Sequence, residues 1–329
     1  MSKTFEKNKN IRWGIIGCGN VTEVKSGPAY QNVSGFELAG VMRRDAQKCA
    51  DYAQRHGIEK HYTDADELIN DPEIDAIYIA TPPDSHALYG LKVAAAGKPC
   101  CIEKPMATSY EESLMLYNAF TKKDIPLFVA YYRRSLPRFT QIKKWIDDNE
   151  IGKIRHVSWH LSKTASEQDL SGDYNWRTDI RVAKGGYFDD LASHGIDLFE
   201  YLLGDIAKVS GFTINQQDLY TAKDAIVASW IHESGITGSG SWNFGCATRE
   251  DVVQIIGSEG KIEFSIFEEN PIALTNANGK REQFINHPDS VQFYHVQNMR
   301  EHLLGNVTHP STGKTALHTS WVLEQILKS

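Results

Sequence analysis

Two short stretches carry side chains able to move a proton or to hold charge beside a reacting carbon. The first is Cys101-Ile102-Glu103-Lys104-Pro105, in which an ammonium stands between a carboxylate and a proline. Proline disfavours the helical backbone at the residue before it, so Lys104 is expected in an extended, fixed segment. On its own the same lysine reads first as a surface residue before a loop proline. The second stretch runs Gly185-Gly186-Tyr187-Phe188-Asp189-Asp190-Leu191-Ala192-Ser193-His194-Gly195-Ile196-Asp197 and continues as an apolar run stopped by Gly204. Two glycines, an acidic pair and an apolar run describe a helix with a flexible approach. Asp190 and His194 are four apart and so share one helical face. A carboxylate there can orient an imidazole, or both can address one substrate hydroxyl. The helix N-terminus disfavours an imidazolium and leaves a neutral base, while the nearby carboxylate pushes the other way. Residue types alone also allow Asp190 as a helix-entry residue and His194 as a satisfied core histidine.

The elements that position Lys104 are legible upstream of it. Ile11–Ile16 is a short apolar run that ends in Gly17-Cys18-Gly19-Asn20-Val21-Thr22. A buried strand entering a glycine turn and then a helix is the context that gives a G-x-G-x-x-G pattern meaning, with a pyrophosphate on the helix N-terminus. Thr22 stands at the third glycine, so the match is partial. The expected nucleotide contacts are Gly17, Gly19, Asn20 and Val21. Phe36–Met42 reads as the second strand, and an NAD-type site would carry an acid just beyond it. Arg43-Arg44 stands there instead, and a guanidinium suits a 2′-phosphate, so NADP(H) is expected over NAD(H), with NAD possible. The other reading is two solvated arginines, with Asp45 taking the ribose. A third strand, Ile74–Ala80, ends in Thr81-Pro82-Pro83-Asp84-Ser85-His86 at the strand end where ligands of doubly wound sheets bind. Thr81 and Pro82 are candidate cofactor contacts there, and His86 is either a contact or a capping residue. Lys98–Ile102 then delivers Glu103 and Lys104 to the same edge. Alternating strands and helices predict a parallel α/β sheet ending near residue 130.

Composition bounds what the chain does. Its 329 residues allow two domains, and 41% hydrophobic with 23% charged residues is ordinary for a globular core. A formal net charge of −7 argues against nucleic acid or an anionic membrane as partner. The polar opening MSKTFEKNKN does not resemble a signal peptide, and no apolar run reaches membrane-span length. Five cysteines with no CxxC spacing suggest neither a disulfide framework nor a zinc site, so reduced thiols in the cytoplasm are expected. No metal is expected. His156 and His160 share a strand face but lie about 13 Å apart, too far for one ion.

After Tyr131 the character changes to a helix, a half-buried strand at Ile154–Leu161, and, past Gly204, short strand patterns in succession up to about Thr275. Strands without intervening helices predict a mostly antiparallel sheet with one open face. The expected architecture is an α/β Rossmann domain (a doubly wound parallel sheet) over residues 1–130 and an α+β domain with a large open sheet over 131–329.

The glycine turn, Thr81-Pro82-Pro83 with His86, and Glu103-Lys104-Pro105, in that order, resemble the glucose–fructose oxidoreductase/inositol dehydrogenase (Gfo/Idh/MocA) family over nearly the whole chain from Ile11. The resemblance implies that Lys104, Asp190 and His194 form the catalytic set, because GGxxxDxxxH is how such enzymes place an acid–base pair. It implies that Trp176 and Arg177 lie near substrate and cofactor, that Glu103 lines the cofactor site or holds the lysine, and that Tyr131 and Arg134 contact substrate. Lys184 departs from the family's first glycine, and Asp189 is an extra acid. The activity implied is hydride transfer between a nicotinamide cofactor and a secondary alcohol or carbonyl of a sugar, cyclitol or related diol. It further implies a final helix, about 315–327, packed on the nucleotide domain, and a homodimer or homotetramer formed through the open sheet. The resemblance also implies a possible glycosidase that oxidises its sugar transiently, and a nucleotide-binding sensor without turnover is the other alternative.

Overall fold

The computed structural model describes residues 5–328; the first four residues of the polar opening lie outside the described residues. The chain divides into two compact units, residues 1–135 with 288–317, and residues 136–287 with 318–329. The sequence reading put the boundary at 130 and gave residues 131–329 to the second domain, with the final helix packed back on the first. The difference has a physical cause. The helix Phe293–Leu303 buries Val296, Met299 and Leu303 in the core that holds Ile11, Trp13, Tyr30 and Phe128. Apolar spacing reveals such a helix but not which sheet it covers. The division also runs through the final helix, Gly313–Lys328, whose residues up to Leu317 belong to the first unit and the remainder to the second.

The first unit is built on six parallel strands, β1 (Ile11–Ile16), β2 (Phe36–Met42), β3 (Lys60–Tyr62), β4 (Ala76–Ile79), β5 (Cys100–Ile102) and β6 (Leu127–Val129). Their spatial order is β3-β2-β1-β4-β5-β6, so the connections reverse direction between β1 and β4. That reversal leaves a crevice at the C-terminal strand ends. Burial of all four β4 residues and all three of β5 explains why these strands read as continuous apolar runs.

The same unit packs half-buried His302 and buried His309 edge-on to Phe128, with the buried His295 ring 4.6 Å from that of His309 at 87°. Burial lowers all three imidazoles, His309 to about 4 and His295 well below the usual range. A lowered histidine stabilises the fold fully above its unfolded value near 6.5, and that contribution is lost as pH falls toward the folded value. His309 alone contributes about 3 kcal/mol by this linkage. Cooperative unfolding followed by circular dichroism should therefore show stability falling between pH 6.5 and 4, and His309→Phe should flatten that slope; an unchanged slope in the variant contradicts the assignment.

The second unit carries an eight-stranded sheet in the order β14-β13-β12-β11-β7-β10-β9-β8. Its strands are β7 (Ile154–Ser162), β8 (Ile206–Ile214), β9 (Ala225–His232), β10 (Thr237–Asn243), β11 (Glu250–Gly257), β12 (Gly260–Phe264), β13 (Ile272–Asn276) and β14 (Gly279–Gln283). All neighbours are antiparallel except β7 and β10. The edge strand β14, Gly-Lys-Arg-Glu-Gln, is exposed throughout. Its charges guard the edge against further pairing and leave no alternation by which to foresee it. Alternating burial along β9 turns Ile226, Ala228 and Trp230 inward and Val227, Ser229 and Ile231 outward. Among the described residues no helix is long and apolar enough to cross a membrane, and no cluster of three or more His, Cys, Asp or Glu could hold a metal.

Candidate functional site

Each unit carries one group of chemically capable residues. In the first, Gly17 has φ of +95°, a conformation that L side chains rarely adopt, and a Cβ there would lie 2.7 Å from Thr81 Cγ2. Gly19 is different. Apart from its chain neighbours, a Cβ on it would find no protein atom nearer than 3.9 Å, so no protein contact requires the glycine and the space beside it is open to a ligand. Thr22, at the position of the missing third glycine, is buried and hydrogen-bonds the Gly19 main chain at both N–H (2.9 Å) and C=O (2.8 Å). Asn20 is exposed and Val21 half-buried at the following helix start. Cys18, between the glycines, is buried, and burial pushes its thiol up to about 12, which removes it as a nucleophile.

A cleft of about 460 Å³ opens here, lined by the glycine turn, Arg43, Arg44, Asp45, Lys48, Ala80, Thr81, Pro82 and Tyr89. Three cations thus face it with one carboxylate. That carboxylate is already engaged: Asp45 accepts from the Lys48 N–H at 3.0 Å as cap of the helix Ala46–Arg55, the chief reason its pKa is lowered. Arg43 donates through Nη1 to the Cys18 carbonyl at 3.1 Å and so steadies the glycine turn, whereas Arg44 is exposed.

His86 was expected as a contact or a capping residue. It is fully buried, with ring nitrogens 2.8 Å from the Thr81 carbonyl and 2.9 Å from that of Pro105. It therefore joins the loop after β4 to the loop after β5. Burial lowers its pKa against the pull of the two carbonyls, so the neutral ring donates to one of them. Glu103 likewise faces protein: Oε1 accepts from Tyr78 (2.6 Å) and Gln292 (2.8 Å), and Oε2 accepts from the Lys104 N–H (3.2 Å). Of the two roles expected for it, these bonds serve the holding of the lysine. Lys104 follows half-buried, joined to Pro105 by a cis peptide. Tyr131 is wholly buried, and Arg134, 5% exposed, donates to the Pro310 carbonyl at 3.1 Å. Tyr131, with no exposed surface, presents no open face for the substrate contact expected of it.

In the second unit the segment before His194 is a π-helical turn, Phe188–Ala192, rather than the start of one regular helix. Such turns recur at functional sites. The α-helix Ser193–Leu203 follows, lying on the sheet where Gly195 meets the Trp159 ring; a Cβ on Gly195 would come within 2.2 Å of that ring. This close seat fixes the neighbouring His194, 5% exposed, edge-on to Phe267. Asp190 accepts from Arg177 Nε at 2.9 Å, and Arg177 stacks 4.3 Å over Trp176. Asn175 caps that turn by accepting from the Arg177 N–H. Asp189, whose role the sequence left open, accepts from the Gly185 N–H at 2.8 Å and closes the double-glycine approach.

Sequence reasoning missed the partners that immobilise these groups. Gln292 lies 189 residues from Glu103, and no local pattern announces it. Asp169, which accepts from Ser166, Asn175 and Tyr187, was also unforeseen, although Ser166 three residues before it is a helix-start signal that could have been read.

A family model described as an oxidoreductase family with an NAD-binding Rossmann fold (Gfo/Idh/MocA) matches residues 11–131, and that family's C-terminal domain matches residues 139–263. Oxidoreductase P35 of Formosa agariphila is 33% identical over 316 residues, covering 95% of this chain and 97% of its own. Levoglucosan dehydrogenase of Pseudarthrobacter phenanthrenivorans is 31% identical over 245 residues, 71% of this chain and 58% of its own. A solved structure of a levoglucosan dehydrogenase in complex with NADH superposes with a TM-score of 0.87 at 24% identity, covering 98% of this chain and 97% of the other, a likeness of fold.

Proposed function

The chain belongs to the Gfo/Idh/MocA family of NAD-binding Rossmann oxidoreductases, and on that premise we propose that it interconverts a secondary alcohol and a carbonyl on a sugar, cyclitol or related diol, with NADP(H) preferred over NAD(H). The observation that carries the reading is the order of strand ends in the first unit. The glycine turn after β1, the Thr81 loop after β4 and Lys104 after β5 lie on one edge of three adjacent parallel strands. The open space at Gly19 fits a dinucleotide, with Gly17, Gly19, Asn20, Val21, Thr81 and Pro82 as its contacts. The substrate class is supported by the levoglucosan dehydrogenase relative.

When bound, the nicotinamide supplies the hydride acceptor or donor. The protein's own groups handle the proton. In the oxidation direction a His194 ring nitrogen accepts the hydroxyl proton, and Lys104 Nζ stabilises the developing alkoxide. In reduction either group returns the proton. Asp190, fixed by Arg177, orients the histidine or holds a neighbouring hydroxyl; Arg177 and Trp176 shape that end of the site. The NADP(H) preference rests on Arg43, Arg44 and Lys48 facing a cleft whose one acid is engaged as a helix cap.

A second copy of the chain is proposed on the open face of the eight-stranded sheet. That face exposes Phe212, Ile214, Val227, Ile231, Val252 and Ile256, an apolar set that water penalises. Light scattering should give a multiple of 37.0 kDa, and Phe212→Asp should shift it toward the monomer; a monomeric wild type rejects this assembly.

A further inference from the structure

Beside the Asp190–Arg177 pair stands a cation that the proton chemistry does not use. Lys163 follows β7 directly, and its main chain is fixed on both sides: its N–H donates to the Asn243 carbonyl at 2.9 Å and its carbonyl accepts from the Cys246 N–H at 3.0 Å. Its ammonium lies 5.0 Å from the centre of the Tyr187 ring. The surrounding charges are each met by protein. Arg177 pairs with Asp190 at 2.9 Å, and Arg249 pairs with Glu268 at 2.6 Å. Asp169 accepts from Ser166, Asn175 and the Tyr187 hydroxyl. Lys163 alone has only a π face, with no hydrogen-bond acceptor or carboxylate in ion-pair reach among the described residues.

We propose that Lys163 receives a carboxylate carried by the sugar substrate, making a hexuronate or similar acidic sugar the preferred class. The inference rests on the oxidoreductase reading, which supplies Asp190 as neighbour to both the reacting hydroxyl and Lys163. A half-buried ammonium without a counter-charge is costly, and an incoming anion removes that cost. Burial and then Arg249 lower the lysine's pKa against the pull of Asp190 and Asp169, so the ammonium is held at a cost that an incoming carboxylate would offset. The count of charges selects the kind of anion. One uncompensated cation balances one negative charge, whereas a phosphate dianion would bring a second charge with no partner.

The test compares glucuronate, galacturonate and mannuronate with the matching hexoses, using the full chain loaded with coenzyme. Turnover is read from nicotinamide absorbance and binding by calorimetry. The wild type should favour the acids in kcat/KM. Lys163→Met, which keeps the packing on Tyr187, should lower kcat/KM for the acids roughly 10- to 100-fold, mainly through KM, and leave the hexoses unchanged. Unchanged hexose turnover also certifies the fold, and Lys163→Gln serves if the methionine variant does not fold. Turnover of hexoses in preference to the acids, or equal losses on both, overturns the inference while the oxidoreductase reading stands. Absence of turnover with every sugar removes that reading instead. Calorimetry then decides separately: hexuronate bound by wild type and not by the variant keeps the anion site, and no hexuronate binding to wild type refutes it.

Discussion

Lys104→Ala is expected to lower turnover roughly 10²–10⁴-fold while leaving NADPH affinity nearly unchanged, and His194→Ala should fall in the same range. The expectation separates chemistry from scaffolding because both side chains end supports that survive the substitution. The Lys104 main chain is held by the Glu103 carboxylate, itself fixed by Tyr78 and Gln292, and none of these bonds uses the lysine ammonium. The helix of His194 is seated by Gly195 on Trp159 and by Phe199 against Trp159 and Trp230. Lys104→Arg should rescue poorly, because a planar guanidinium cannot replace a compact ammonium at a developing alkoxide. The two effects should appear in kcat more than in KM, the sign of groups that act in the transition state. Near-normal turnover in either alanine variant removes that residue from the mechanism.

The second large effect concerns the coenzyme. Arg44→Ala should weaken NADPH binding roughly 10- to 100-fold and leave NADH binding almost untouched, since a charge-assisted contact to the 2′-phosphate is the interaction lost. Arg43→Ala should behave differently. Its guanidinium also holds the Cys18 carbonyl of the glycine turn, so its loss should weaken both coenzymes. Titration of bound NADPH and NADH fluorescence distinguishes the two patterns. Wild-type affinity for NADPH no better than for NADH would refute the preference and return the ribose to Asp45.

How far the sequence led follows from the range of the forces involved. The strand β2 at Phe36–Met42 and the helix His86–Ala96 were legible to the residue, because buried runs and Gly97 as a stop are local signals. Membership in the family was legible from motif order. Burial of His86 against two carbonyls was not, because a histidine at a loop-to-helix junction has the same sequence signature whether it faces a ligand or the core. The π turn at Phe188–Ala192 escaped because i,i+4 spacing fits α and π turns alike. The edge strands Lys60–Tyr62 and Gly279–Gln283 lack the apolar alternation that marks a half-buried strand. The partners of Glu103, Asp190 and Lys163 come from distant positions, and only the folded chain reveals them.

The most direct test of the central claim is a panel of sugars, acidic sugars and polyols followed by nicotinamide absorbance with NADP⁺ and with NAD⁺. The account predicts reduced coenzyme formed in step with oxidised product, faster with NADP⁺, for at least one member of the panel. Cleavage of a glycoside with no net change in absorbance would contradict it in favour of a redox-assisted hydrolase. Tight coenzyme binding with no turnover of any substrate would contradict it in favour of a sensor.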